Sequence, residues 1–355
     1  MNIPLEFDIV GSMSGTSLDG VDLAFCRFEY SDDNWSFRLI EAETIPYPEA
    51  WKVKLRNSIQ LSGFGLFQLD HEYGRYLGNI ISDFIQRNKI KPQFIASHGH
   101  TVFHEPDRIG SLQIGNGHEI YALTGIPVVA DFRSLDISLG GQGAPLVPVG
   151  DKFLFPEYQY CLNLGGFSNI SYLNEDILIA YDICPLNIVL NHFANLYGNE
   201  FDIDGELGRR GKINPELLCE LNSLEYYKKL PPKSLGVEFL HQEIFPITKK
   251  YLYTPEDFLA TFYEHFSRQI SAVLNNNPNF NVLVTGGGAK NKYLIENIQK
   301  KTNNILTLPS QLIIDFKEAL IFAFLGALRI NGSVNCLASV TGARRDSCGG
   351  IIYGL

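Results

Sequence analysis

The segment Gly11 to Asp22, GSMSGTSLDGVD, interrupts an apolar run with glycines, hydroxyls and two carboxylates. A turn of this kind presents successive backbone N–H groups with no bulky side chain between them, and so can cradle a phosphate. Asp19 and Asp22 supply the one or two carboxylates that a hydrated Mg²⁺ takes beside phosphate oxygens. An ordinary Gly/Ser hairpin fits the same residues, and the Walker pattern is absent. A second turn, VTGGGAKN, sits where a strand feeds a helix, and Gly286, Gly287 and Gly288 permit close approach of a flat ring or a phosphate. Glycine there also serves packing alone. Asp131 in IPVVAD and Asp182 in DILIAYD each end an apolar run, which places a carboxylate at a sheet edge where a general base belongs. Helix capping and turn formation by Asp are the structural alternatives. Arg133 and the pair Asp204 and Glu206 complete the polar candidates. His98, His100, His104 and His118 fall close together, but no carboxylate or cysteine stands at zinc-ligand spacing, so they read as hydrogen-bonding groups for a polar substrate.

The elements that must position these groups follow from hydrophobic period. FDIVGS, VDLAFCRFEY and WSFRLIEAETI form an N-terminal meander of three strands. Leu66, Phe67, Tyr73, Leu77, Ile80, Ile81 and Phe84 keep the spacing of one apolar helical stripe. FIAS and IPVVAD are further strands, and the first half closes near residue 133. The second half opens with YCLNLGGFSNISYLN, which repeats the strand, small-residue turn, strand design of the N-terminus and is followed by DILIAYD. A helix through Phe258, Leu259, Phe262, Phe266 and Ile270 then leads to the strand NVLVTGGG and to helices near 289–300 and 315–330. Two related halves, each opening with a hairpin that can face a phosphate, make the design of an interdomain nucleotide clamp, and ligand sites favour domain interfaces.

The chain has 355 residues, 45% of them hydrophobic, which at roughly 150 residues per domain favours two domains and excludes a disordered or fibrous protein. A net charge of −10 without long charge blocks argues against a nucleic-acid partner. The longest apolar run, Ala319 to Leu328, is about half of the ~20 residues that span a bilayer, so it predicts a buried helix and no membrane partner. The N-terminal residues lack the features of a secretory signal, and the six cysteines form no C-x-x-C pair, so reduced thiols and a cytoplasmic location are expected.

Taken in order, GSMSGTSLDGVD (11–22), SHGHTVFH (97–104), ADFR with GGQGAPLVP (130–148), NLGGFSNI (163–170), PPKSLG (231–236), VTGGGAKN (284–291), FKEALIFAFLG (316–326) and SVTGA (339–343) resemble the anhydro-N-acetylmuramic acid kinases. The resemblance implies an α/β, two-domain, actin-like or hexokinase-like ATPase fold with ribonuclease H-like halves and an interdomain cleft. The expected halves are 1–133 plus about 330–355, and 134–329. It implies opening of the C1–O6 ether of 1,6-anhydro-N-acetylmuramic acid by water, coupled to phosphorylation of O6 from ATP during murein recycling.

Carried over by position, Gly15, Thr16, Ser17, Leu18, Asp19, Gly20, Val21 and Asp22 would bind ATP phosphates and Mg²⁺, with Asp19 and Asp22 as metal ligands. Gly286, Gly287 and Gly288 would line the nucleoside side, and Thr101, Arg133 and His98 would grip the sugar. Asp182 is the implied general base, with Asp131 as a further catalytic carboxylate. A homodimer is implied as well. The chain departs from the family pattern at Ile183-Cys184-Pro185-Leu186, at His100 and at Leu235-Gly236-Val237. Those departures leave two alternatives: a kinase for a different anhydro-sugar, or a catalytically weakened nucleotide-dependent binding protein.

Overall fold

A computed structural model of the chain describes residues 5–15 and 18–354. The chain divides into one unit of residues 1–155 with 316–355 and a second of residues 156–315. These boundaries differ from the expected 133 and 330. The helix Val147–Leu154 and the buried helix that begins at Gln311 explain the shift, because both put their apolar residues into the first unit: a Cβ on Gly150 would lie 2.5 Å from the Ile321 side chain.

In the first unit β1 (Leu5–Ser14), β2 (Gly20–Ser31) and β3 (Asn34–Pro46) form the expected antiparallel meander. Next come β4 (Phe94–Glu105), β5 (Gly110–Ile114) and β6 (Val128–Ala130). β4 pairs parallel with both β1 and β6, and β5 is an antiparallel branch on β4. One face is covered by the helix Gly63–Asn88, whose Ser62 cap accepts from the Gly65 N–H. Its buried stripe is Leu69, Tyr73, Leu77, Ile81 and Phe84. Phe67 was expected in that stripe but is 64% exposed, since its neighbour Leu66 takes the place against the core and turns Phe67 outward.

The other face is covered by the helix Gln311–Ile330, in which every residue from Ala319 to Leu328 is buried. Small residues set how closely it lies. A Cβ on Gly11 of β1 would fall 2.0 Å from the Ala319 carbonyl oxygen, and one on Gly326 would fall 2.7 Å from the Ala96 side chain of β4. No helix among the described residues is long and apolar enough to cross a membrane.

The second unit repeats this plan with β7 (Tyr160–Leu164), β8 (Phe167–Asn174), β9 (Ile177–Pro185), β10 (Asn281–Thr285) and β11 (Ile305–Thr307). Its order, β9-β8-β7-β10-β11, has the same antiparallel and parallel pairings as β3-β2-β1-β4-β6. Both halves thus have the ribonuclease H-like strand order. The helix Pro255–Leu274 packs Phe258, Phe262, Phe266 and Ile270 into the second core. Beyond the repeat, β12 (Ile351–Tyr353) returns the end of the chain to the first sheet, antiparallel to β6.

Candidate functional site

In the first unit, β1 ends at Ser14 and β2 restarts at Gly20, so the glycine-rich turn lies at the tip of this hairpin. Thr16 and Ser17 lie outside the described residues. The residues expected to bind nucleotide divide by environment. Leu18 and Val21 are buried in the core, and a Cβ on Gly20 would fall 2.5 Å from the Ile45 carbonyl oxygen, so packing alone explains these three residue types. Asp19 is exposed; Asp22 is half-buried and its Oδ1 accepts from the Thr44 hydroxyl at 2.6 Å. Behind the turn, Ser14 Oγ is hydrogen-bonded to the Tyr47 hydroxyl at 2.7 Å and to Nδ1 of His100 at 3.1 Å, and Tyr47 in turn pairs with Tyr73. Burial pushes His100 down to about 4, so this chain of groups is uncharged at neutral pH.

β4 brings His98, His100 and Thr101 to the same end of the sheet. Gly99 has φ +71, and a Cβ there would meet the Ile114 carbonyl oxygen at 2.3 Å. This break in the strand sends the two histidine rings to opposite sides of the sheet: His98 against Phe322, His100 against Tyr73. His98 is 5% exposed and its Nε2 takes both the Nε and NH2 donors of Arg133. Arg133 NH1 donates to the Gly143 carbonyl at 2.7 Å, and burial lowers its guanidinium to about 10. Thr101 is half-buried and accepts from Gln113 Nε2 at 3.3 Å. The structure therefore brings His98 and Arg133 together and leaves His104 and His118 elsewhere, on Ser111 and Tyr353. Among the described residues no group of three His, Cys, Asp or Glu forms a metal set.

Asp131 follows β6 and does not join Arg133. Its Oδ1 accepts from the Ser134 N–H at 3.2 Å, and it lines a separate polar recess of about 190 Å³ with Asp70, Gln113, Asn116 and Tyr353. The side chain that sequence reasoning missed is Glu318. It stands on the helix Gln311–Ile330 immediately before its wholly apolar stretch and is open to solvent among buried neighbours. Although its outer edge is open, the protein packed around the carboxyl displaces water and, followed by Asp22, raises its proton affinity, while Lys317 and Arg133 oppose this. The signal was available in FKEALIF, where a carboxylate interrupts a buried face.

In the second unit Asp182 sits in β9, opposite Asn169 of β8. Its Oδ2 accepts from the Leu235 N–H at 2.8 Å, its carbonyl accepts from the Tyr226 hydroxyl at 2.6 Å, and its own N–H donates to the Lys233 carbonyl at 3.2 Å. Burial raises its pKa above the ordinary carboxylate value, and the Leu235 N–H works against that shift. The following departures from the family pattern turn inward, for Ile183, Cys184 and Leu186 are all buried in the second core. At the departing segment 235–237 it is a backbone N–H that donates to Asp182.

The turn after β10 approaches β7 closely. Gly286 has φ +83, and a Cβ there would lie 2.4 Å from Asn163 Oδ1, while one on Gly288 would lie 2.8 Å from the Leu164 side chain. Gly287 is exposed, and a Cβ there would make only an ordinary contact, 3.6 Å from Asn187 Nδ2, so it is the least crowded of the three. The N–H groups of Leu186, Asn187 and Ile188 donate to the carbonyls of Gly165 and Gly166, so the β7–β8 turn is held by the start of the next helix.

A family model described as anhydro-N-acetylmuramic acid kinase matches residues 8–354. The chain is 36% identical to the anhydro-N-acetylmuramic acid kinase of Sulfurimonas denitrificans over 368 residues, covering 97% of this chain and 98% of that one. The corresponding protein of Pasteurella multocida is also 36% identical, over 97% of this chain and 96% of its own. Among solved structures, component A of the (R)-2-hydroxyglutaryl-CoA dehydratase of Acidaminococcus fermentans is similar with TM-score 0.45 and 12% identity, over 89% of this chain and 96% of that one. A ROK family glucokinase from Streptomyces griseus, in complex with glucose and AMPPNP, has TM-score 0.40 and 11% identity, over 90% and 98%. With the match running through the Asp182, Arg133 and Gly286 segments alike, the chain belongs to the anhydro-N-acetylmuramic acid kinase family.

Proposed function

We propose that this protein is an ATP-dependent kinase that converts 1,6-anhydro-N-acetylmuramic acid and water to N-acetylmuramic acid 6-phosphate and ADP. The observation that carries the chemistry is Asp182: a half-buried carboxylate with raised proton affinity, one oxygen fixed by the Leu235 N–H. Water is a weak nucleophile towards an acetal carbon, so a base must take its proton as it attacks. Asp182 accepts that proton. The bond from water oxygen to C1 forms, the C1–O6 bond breaks, and the electron pair released on O6 attacks the γ-phosphorus, expelling ADP. Burial keeps Asp182 basic enough for this task, and the single backbone donor prevents the carboxylate from turning away.

Arg133 supplies a fixed cation for the acidic sugar, with Thr101 beside it on β4 as a hydroxyl partner. The exposed Gly287 offers backbone to the nucleotide, because a glycine surface admits a phosphate or ring that a Cβ would fend off. Asp19 and Asp22 are the carboxylates that would hold Mg²⁺, a donor set that fits an ion sharing its sphere with phosphate and water. When bound, Mg²⁺ neutralises charge on the transferring phosphoryl group. Asp131, the second expected catalytic carboxylate, holds the Ser134 N–H and so also shapes the loop after β6. By the same resemblance we propose a homodimer acting in the cytoplasm, and light scattering of the purified protein tests the assembly.

The activity is tested by incubating the protein with Mg-ATP and 1,6-anhydro-N-acetylmuramic acid in ¹⁸O-water and weighing the products. A 6-phosphosugar labelled at O1 is expected. Label elsewhere, or no phosphosugar, rejects the reading.

A further inference from the structure

Arg133 is held by acceptors that carry no charge. Its Nε and one terminal nitrogen donate to His98 Nε2 at 3.2 and 2.8 Å, and the other terminal nitrogen donates to the Gly143 carbonyl at 2.7 Å. A guanidinium has donors only, so Nε2 of His98 is bare. Nδ1 lies 3.0 Å from the Gly99 carbonyl oxygen, an acceptor, and therefore carries the ring proton. One neutral tautomer satisfies both contacts. The Phe322 ring lies 4.6 Å away, so both nitrogens and a face of the imidazole are occupied within the chain. Burial first, then Arg133, pushes the His98 pKa well below its ordinary value. The far anchor is fixed as well: Asp136 Oδ2 takes the Gly143 N–H at 2.8 Å, and its Oδ1 takes the Thr341 hydroxyl at 2.7 Å.

A carboxylate in the place of His98 would hold Arg133 as firmly but would cancel its charge. A neutral imidazole orients the guanidinium and leaves that charge for a ligand. Three of the five N–H donors are spent on His98 and Gly143, which leaves one on each terminal nitrogen, the paired donors that suit a carboxylate. We propose that His98 is a positioning residue: as a neutral Nε2 acceptor out of contact with substrate, it aims Arg133, whose hydrogen-bond partners carry no charge, at the carboxylate of the acidic sugar. The identity of that sugar rests on the kinase reading above, while the tautomer and the contact do not.

The test compares wild type, His98→Phe, His98→Gln and His98→Asp on 1,6-anhydro-N-acetylmuramic acid and on its methyl ester, which lacks the charge. For His98→Phe and His98→Asp, KM for the acid is expected to rise at least tenfold, with kcat and KM for ATP within threefold and KM for the ester little changed. His98→Gln, whose side-chain oxygen can stand where Nε2 stands, is expected to restore KM for the acid to within threefold. Equal rises for acid and ester, or no recovery with Gln, would overturn the proposal. Imidazole ¹⁵N spectra supply a readout independent of turnover. His98 and His265, whose Nδ1 faces the Asn222 amide oxygen and whose Nε2 faces the Tyr227 hydroxyl, are both expected to show a protonated Nδ1 and a bare Nε2 from pH 5 to 8, and the His98 signal is the one that vanishes in His98→Gln. A His98 found as the other tautomer or as a cation overturns the proposal whatever the kinetics. The expected signature in a wild type that phosphorylates neither sugar would count against the kinase reading and for the His98–Arg133 contact.

Discussion

The Asp182 carboxylate meets the backbone N–H of Leu235 at 2.8 Å, across 53 residues of sequence. A backbone donor cannot be lost by exchanging a side chain, so this contact survives the change of residue types at 235–237. It also sets the protonation of Asp182 between two opposed effects, burial raising and the N–H lowering.

Replacing Asp182 with Asn removes the base and keeps the volume. Turnover is expected to fall about 10²- to 10⁴-fold, with ATP affinity changed less than threefold, as measured by calorimetry. Because the carboxylate must be ionised to act and its pKa is raised, wild-type kcat is expected to fall on acidification at a higher pH than an ordinary carboxylate would give. A flat profile down to pH 4 would refute the assignment.

Gly286 combines φ +83 with a Cβ position 2.4 Å from Asn163 Oδ1. Gly286→Ala is expected to cost about 1–2 kcal/mol of backbone strain, read in urea unfolding. KM for ATP should also rise as the turn shifts. Unchanged stability and KM together would show that the turn adapts freely.

Lys317 and Asp151 form a buried pair at 2.6 Å, 6% and 8% exposed, linking the helix Gln311–Ile330 to the helix Val147–Leu154. Lys317→Ala leaves a buried carboxylate without its cation and is expected to destabilise by about 3–5 kcal/mol. Lys317→Met with Asp151→Leu should recover most of that loss. Chemical denaturation of the single and double variants checks both.

Acid should weaken the fold through its buried histidines. His265 is fully buried between Asn222 and Tyr227 and is pushed down to about 3, and His100 to about 4, against an ordinary value of 6.5. Between pH 6.5 and 4 the unfolded chain binds protons that the fold refuses, so stability rises with pH over this window and is fully present above it. Each histidine adds up to about 1.4 kcal/mol per pH unit to that slope. His265→Gln is expected to flatten the dependence measured from pH 4 to 7, and an unchanged slope would exclude His265 as a source.

What the sequence determined by itself was local and ordered. Runs rich in β-branched, aromatic and other apolar residues between turn residues specified β1–β4 and β6–β10, some alternating and others, such as β6 and β10, buried almost throughout. The glycine-rich and strand-ending motifs, read in order, identified the family and marked Asp182 as the candidate base. β5, β11 and β12 have one fully buried residue among them, so no apolar run marks them, whereas the equally short β6 is buried throughout.

Tertiary packing decided which polar groups meet. Asp131 and Arg133 are two residues apart, yet Asp131 lines the recess beside Asp70 while Arg133 turns to His98 and Gly143. Leu18, Gly20 and Val21 sit in a ligand-like motif but are explained by packing against the core and β3. Glu318 gains its surroundings from Asp22 and Arg133, hundreds of residues distant, and His98 its tautomer from a carbonyl and a guanidinium. Hydrophobic period records only whether a residue is buried. A hydrogen bond or a shifted pKa depends on what is buried against it, and only the folded chain supplies that partner.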